Sequence, residues 1–253
     1  VFFMSKQYFL AAVICCVVNI SFGQPNTGLL KVKMTEDFAI TGDGTSANWN
    51  GADWNVITQR DKTTLQQNNW NTEGLPEHDI QYQTQFKVLY SAKGIYCLFR
   101  AEDSLLTVTN KADNTPLYNE DVVEVFLKPD GDGNDYFEYE LSPWNFELPL
   151  MIQNNGKDIN TWLPYMYVGG RRTTHLVRVG GKDAKTNRFT WTAEIFIPYE
   201  LIATFNNVPP QKGTQWRANF YRIDYDRNPV YSSWSLTRRS YHDPEKFGTL
   251  VFE

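Results

Sequence analysis

Hydrophobic and polar residues alternate with a period of two along much of the chain, in short runs broken by turn residues. Successive side chains of a strand point to opposite faces, so each run reads as a strand with at least one apolar face. The pattern predicts strands over Thr84–Tyr90, Ile95–Ala101, Val122–Leu127, Tyr136–Leu141, Phe146–Gln153, His175–Val179, Arg188–Ile197, Gln215–Asp224 and Thr249–Phe252. Leu29–Ala39 reads as an N-terminal edge strand, and the polar, aperiodic residues 60–80 as a loop. Turns are expected at Ala92-Lys93-Gly94, Asp130–Asn134 and Gly180–Asn187. Pro198–Ala203 predicts one short helical turn, because a proline at the first helical position gives up no needed N–H. So many strands in one chain imply an all-β single domain, with two antiparallel sheets packed as a jelly-roll-like β-sandwich.

The first 23 residues break the pattern. One cation, Lys6, precedes an apolar run over Tyr8–Val18, and Ser21-Phe22-Gly23 places small residues where a signal peptidase reads them. This predicts a secretory signal over 1–23 and a domain over 24–253, secreted or periplasmic after cleavage. The run is shorter than the about 20 residues that span a bilayer, so no transmembrane segment is expected.

Removing that segment leaves 23 basic and 29 acidic residues, a net charge of −6, which argues against a nucleic-acid partner. Cys97 becomes the only cysteine. Without a disulfide the exported domain has to rely on its core, and about 230 residues suffice for one. Cys97 sits in an alternating apolar segment and reads as a small core residue. Phe, Trp and Tyr make up 15% of the chain, which suits a sandwich core and also a surface on which the apolar face of a sugar ring stacks.

Several segments, in order, resemble the family 9 carbohydrate-binding modules: Ile40-Thr41-Gly42-Asp43-Gly44 with Trp49, the strand pair 84–90 and 94–99, Asn119–Leu127 with its Asp-x-Val-Glu-x-Phe block, Trp191–Pro198, Trp216–Arg222, Ser233-Trp234-Ser235, and the Asp243-Pro244-Glu245-Lys246-Phe247-Gly248 ending. The resemblance implies a β-sandwich that binds sugars or glycan chain ends without cleaving them, in polysaccharide degradation or uptake, beside separate glycoside hydrolases. It implies two aromatic rings clamping one sugar. The first falls on Tyr118. The second falls on Tyr241 or, one residue on, His242, with Tyr241 preferred by counting back from Pro244. Glu124 matches the family's carboxylate, which can accept two hydroxyl protons in charge-assisted bonds. Glu140 falls where sugar binders carry a basic residue, so Glu124 and Glu140 together predict an acidic pocket. Glu138 points to the same side as Glu140 by the two-residue period. Tyr221, Asn228 and Arg238 fall at further contact positions but differ in type from the known binders. Glu194, beside Trp191, reads as structural.

Other readings follow from the same residues. The strand acids could face solvent or pair with Arg172, Arg178, Arg217 or Arg222. Asp130, Asp132 and Asn134 alternate like the start of a calcium loop, but Leu141 stands where an EF-hand needs its acid, so the segment reads as a hairpin turn or as a site for a structural calcium. A glycosidase would need two carboxylates about 5–5.5 Å or about 6.5–9.5 Å apart, which Glu124 and Glu140 could supply. A haem-binding sandwich would draw on His78, His175, His242, Met34, Met151 and Met166. A scaffold that has lost its sugar is the remaining alternative.

Overall fold

The computed structural model describes residues 28–60, 82–156, 159–165, 167–226, 229–237 and 240–253. The expected signal segment, the expected loop 60–80 apart from Arg60, and Asn228, Arg238, His78 and Met166 lie outside them. Among the described residues the chain is all-β, with strands β1 (Leu29–Met34), β2 (Asn55–Ile57), β3 (Gln59–Arg60), β4 (Thr84–Tyr90), β5 (Gly94–Asp103), β6 (Val122–Lys128), β7 (Tyr136–Leu141), β8 (Glu147–Asn154), β9 (Ile159–Pro164), β10 (Thr174–Val179), β11 (Phe189–Pro198), β12 (Gln215–Asp224), β13 (Val230–Ser233) and β14 (Gly248–Phe252).

The strands form one curled sheet in the order β10-β11-β5-β4-β1-β14-β12-β6-β7-β8-β9, with β13 beside β12 and β2 beside β4. Pairing is antiparallel except at β1, which runs parallel to β14 through Leu29–Val32 and to β4 through Lys33–Met34. The N-terminal strand is therefore not an edge strand but the link between the two halves. Its alternation could not show this, since alternation reports faces and not neighbours. Pro198–Ala203 also differs from the expectation. Pro198 ends β11, and Leu201 and Ile202 donate to the carbonyls of Pro198 and Tyr199 in isolated turns without forming a helix. The short 3-10 turns fall instead at Ala47–Gly51, Leu117–Asn119, Gly169–Arg171 and Pro244–Lys246.

The curl brings apolar faces of both halves together. Phe86 of β4 stacks on Phe220 of β12 with ring centroids 4.0 Å apart, and Trp234 meets both edge-on at 5.8 Å. Val123, Val125 and Leu127 of β6 and Phe137 and Tyr139 of β7 enter this core from one side, Cys97, Phe99, Trp191 and Ile195 from the other. Cys97 is buried, and burial pushes its thiol pKa up, as suits a packing residue.

β6, β7 and β12 are buried on their other face as well. There Val122, Phe126, Tyr136, Leu148, Leu150, Tyr221, Tyr241 and Phe247 form a second cluster. The chain ending supplies its cover. Pro244 starts a 3-10 turn, Phe247 is buried, and Gly248 sits where any Cβ would lie 2.1 Å from the Trp234 ring. Glycine is required by that close approach, which explains the Phe-Gly pair.

The opening Thr41-Gly42 loop is pinned to β11 by Glu194. This fully buried carboxylate accepts from Thr41 N (2.6 Å), Gly42 N (2.5 Å), Thr41 Oγ1 (3.1 Å) and Trp49 Nε1 (2.7 Å). Its structural reading holds.

Candidate functional site

The register of β12, β6, β7 and β8 builds the site row by row. Tyr221 faces Glu124, Glu124 faces Glu140, and Glu140 faces Leu148. In the next row Asn219, Phe126, Glu138 and Leu150 stand side by side, and Ile152 then faces Trp162 of β9. Paired residues share a face, so three glutamates project into the second cluster, with Glu124 and Glu140 directly opposite. Like charges so placed are destabilising if both ionise.

A cavity of about 380 Å³ opens over this face. Glu124, Phe126, Glu138, Leu150 and Ile152 lie beneath it. Tyr118, Trp162, Tyr225, Tyr231, Tyr241 and His242 surround it. Tyr118 is carried on the 3-10 turn Leu117–Asn119 and is 41% exposed, and Trp162 is 49% exposed. These are the two open rings of the rim. Sequence reasoning missed Trp162, which lies on an unpredicted edge strand. Its signal was the apolar Trp162-Leu163 pair before Pro164.

Tyr241 lines the cavity in a different role from an open clamp ring. It is only 7% exposed, stacks on Tyr221 with centroids 3.9 Å apart, and donates to the carbonyls of Arg222 and Ser232. Tyr221 does not reach the cavity. Its hydroxyl accepts from Asn219 and donates to the Tyr241 carbonyl, so it supports the wall from behind. His242 lines the cavity too. Its Nδ1 is 2.5 Å from the Tyr136 hydroxyl, and burial pulls its pKa down to about 4, so the ring is neutral near pH 7.

The three carboxyls are buried, and among the described residues Glu124 Oε2, Glu138 Oε2 and both oxygens of Glu140 lack a hydrogen bond of good geometry, although the Tyr118 backbone N–H and Glu138 lie near enough to Glu140 to affect its titration. His242 Nδ1 is 3.7 Å from Glu138, beyond hydrogen-bond range. Burial pushes Glu124 and Glu140 well above the usual carboxylate range, and neighbouring carboxylates add to the rise. Burial also lifts Glu138, to about 8, against the opposing effect of a hydrogen bond from Glu140. The Glu138–Glu140 pair thus accommodates a proton between two like groups. Glu140 itself lies below the cavity floor and does not line it.

The expected arginine partners are elsewhere. Arg222 Nη2 is 2.8 Å from Asp103 and 3.2 Å from Asp224, with Asp121 4.0 Å from Nη1. Arg217 donates to Thr249 and to the Glu245 carbonyl, and Arg178 to the Thr41 carbonyl. The acidic strand residues are neither solvent-facing nor seen to be arginine-paired among the described residues.

The turn with Asp130, Asp132 and Asn134 has several of its oxygens engaged by protein donors. Asp130 accepts from the backbone N–H of Asn206 and Asn207, and the Lys128 ammonium occupies the carbonyls of Asp130 and Gly131. Among the described residues no cluster of three or more Asp, Glu, His or Cys is arranged for a metal. The histidines considered for haem are engaged separately, His175 with Asn145 and Glu147 and His242 with Tyr136, and Met34 is exposed on β1.

The pocket is thus aromatic-rimmed, with convergent carboxyls, on one face of an all-β fold. The family model described as carbohydrate-binding family 9 matches residues 56–252, and the chain belongs to that family. The family is one of non-catalytic modules, so the chain is a binding protein and the paired glutamates are not a glycosidase centre. An extracellular protein of Arthroderma benhamiae is 25% identical over 215 residues, 79% of this chain and 86% of that one. A proposed carbohydrate-binding protein from Bacteroides uniformis superposes with a TM-score of 0.68 at 20% identity, covering 89% of this chain and 99% of the other. A family 9 module from Caldicellulosiruptor kristjanssonii, solved with cellotriose, gives 0.56 at 16% identity over 89% and 93% of the two chains.

Proposed function

We propose that the cavity over β6–β9 holds a sugar or glycan chain end, with Tyr118 and Trp162 as stacking faces and Glu124, Glu138 and His242 reading the hydroxyls. The observation that carries this is the coincidence of two open aromatic rings with unpartnered carboxyl oxygens around one cavity. Buried polar atoms are normally hydrogen-bonded, so oxygens left without donors beneath an opening are suited to a hydroxylated ligand. Tyr241 forms the wall of this site, and Tyr221 and Glu140 its supporting layer. The glucose and cellotriose complexes of the Caldicellulosiruptor module support a glucan-type ligand. In this reading residues 24–253 form one two-sheet sandwich, exported by the segment 1–23. It serves polysaccharide breakdown beside separate hydrolases. The extracellular relative supports the export.

Calorimetric titration of the chain against glucose, xylose, galactose and cellotriose tests the proposal. Saturable micromolar-to-millimolar binding of at least one sugar is expected. Silence across the panel would favour a scaffold that has lost its ligand.

A further inference from the structure

We infer that the pocket selects a sugar unit bearing a protonated amine over its neutral counterpart. This rests on the carbohydrate reading above and adds the chemical class of the ligand.

Three carboxyls converge under one opening, and Glu124 and Glu138 line it with an unpartnered oxygen each, although both side chains are more than nine-tenths buried. No cation among the described residues neutralises them. Arg222 is held by three aspartates on the opposite face of the sheet, and Lys128 is spent on turn carbonyls. His242, the one basic group in the described lining, stays neutral and does not repel an incoming cation. A sugar hydroxyl brings one donor proton to this acid floor. An ammonium brings three, together with the charge that lets the carboxyls ionise. The rim helps, because the faces of Tyr118, Trp162, Tyr225 and Tyr231 are electron-rich and favour a cation.

The proton balance follows. In the free protein burial lifts Glu138 to about 8, so this carboxyl is protonated near pH 6, and burial with the neighbouring acid shifts Glu124 in the same direction. Entry of an ammonium favours the ionised form, so a carboxyl proton leaves to solvent as the ligand binds.

The test is calorimetric titration of the full chain near pH 6 with glucosamine against glucose, and with an amino-glucan trimer against cellotriose, in two buffers of different ionisation heat. We expect the amino sugar to bind about tenfold more tightly or better, as one charge-assisted contact supplies, with proton release that glucose does not show. The Glu124→Gln/Glu138→Gln double variant, confirmed folded by circular dichroism, is expected to lose that preference. Should it fail to fold, proton release in the unaltered protein decides the matter. Equal affinity for the two sugars, or a preference without proton release, overturns the inference and leaves the carbohydrate reading standing. Absence of binding to every sugar overturns the reading beneath it.

Discussion

Glu140 and Glu147 lie one register step apart on the same β7–β8 ladder, Glu140 opposite Leu148 and Glu147 opposite Leu141, on opposite faces of the sheet. Both are buried. Glu147 is surrounded by donors: the Tyr139 hydroxyl at 2.6 Å, the hydroxyls of Thr173 and Tyr167, and His175 at 3.3 Å. Burial acts to raise its pKa, but His175 and the hydroxyls of Thr173 and Tyr139 outweigh it and hold the group at about 2. Glu140 has no such set of donors, only the Tyr118 backbone N–H acting weakly on it, and it faces two more carboxyls, so it is driven well above the usual range. Both are shielded from solvent, and the partners decide the outcome. A fold uses the first kind of carboxylate to hold itself together. The second kind is a cost to stability, and it sits beneath a cavity with two open aromatic rings.

Removing each carboxylate should separate the two kinds most sharply. Glu147→Ala leaves the Tyr139 and Thr173 hydroxyls buried without their acceptor, and we expect a loss of about 3 kcal/mol in urea unfolding, at about 1–3 kcal/mol per orphaned group. Glu140→Gln removes an acid buried against two others and should be neutral or stabilising by about 1 kcal/mol at pH 8. Equal destabilisation by both would erase the distinction.

The pH dependence of stability gives a smaller, complementary effect. Glu147 is depressed from 4.5 to about 2 in the fold, so its contribution is complete above about pH 4.5 and is lost as the pH falls toward 2. His242, depressed from 6.5 to about 4, adds to that acid limb between those values. Glu138 is raised from 4.5 to about 8, so its contribution is complete below about pH 4.5 and is lost as the pH rises toward 8. Thermal unfolding should therefore fall off on both sides of a maximum. Glu147→Gln should flatten the acid side, and Glu138→Gln the alkaline side. Flattening of the same limb by both would contradict the assignment.

The sequence made some of this contrast legible. The two-residue period put Glu138 and Glu140 on one side and, with the Asp-x-Val-Glu block, brought Glu124 into the same patch, because strand alternation survives folding. Glu194 was readable as structural, and its four donors explain why an acid is needed there. Burial of the trio was not readable, since acids on strands ordinarily face water, and here it depends on a cover built by residues 241–247 far along the chain. Tyr241 read as a clamp ring, and nothing local announces its stacking on Tyr221. Trp162 was missed because β9 pairs with one neighbour only, at the end of the sheet, and follows a polar stretch that hides its alternation.

The claim that sugar binds over the acidic face of β6–β9 is tested most directly by titrating two tryptophan variants with cellotriose and the amino-glucan trimer. Trp162 is half exposed on the rim of that cavity, while Trp54 lies in the other half of the sheet beside Lys87 and Arg100. Trp162→Ala is a surface substitution and should shift stability by about 0.5 kcal/mol or less, whereas Trp54 packs half-buried against Trp49, Leu89, Tyr96 and Leu98, so Trp54→Ala is titrated after circular dichroism confirms that it is folded. We expect Trp162→Ala to weaken binding about tenfold or more, as loss of one stacking face does, and Trp54→Ala to bind like the parent. Binding lost in Trp54→Ala and kept in Trp162→Ala would place the sugar on the other half of the fold and contradict the account.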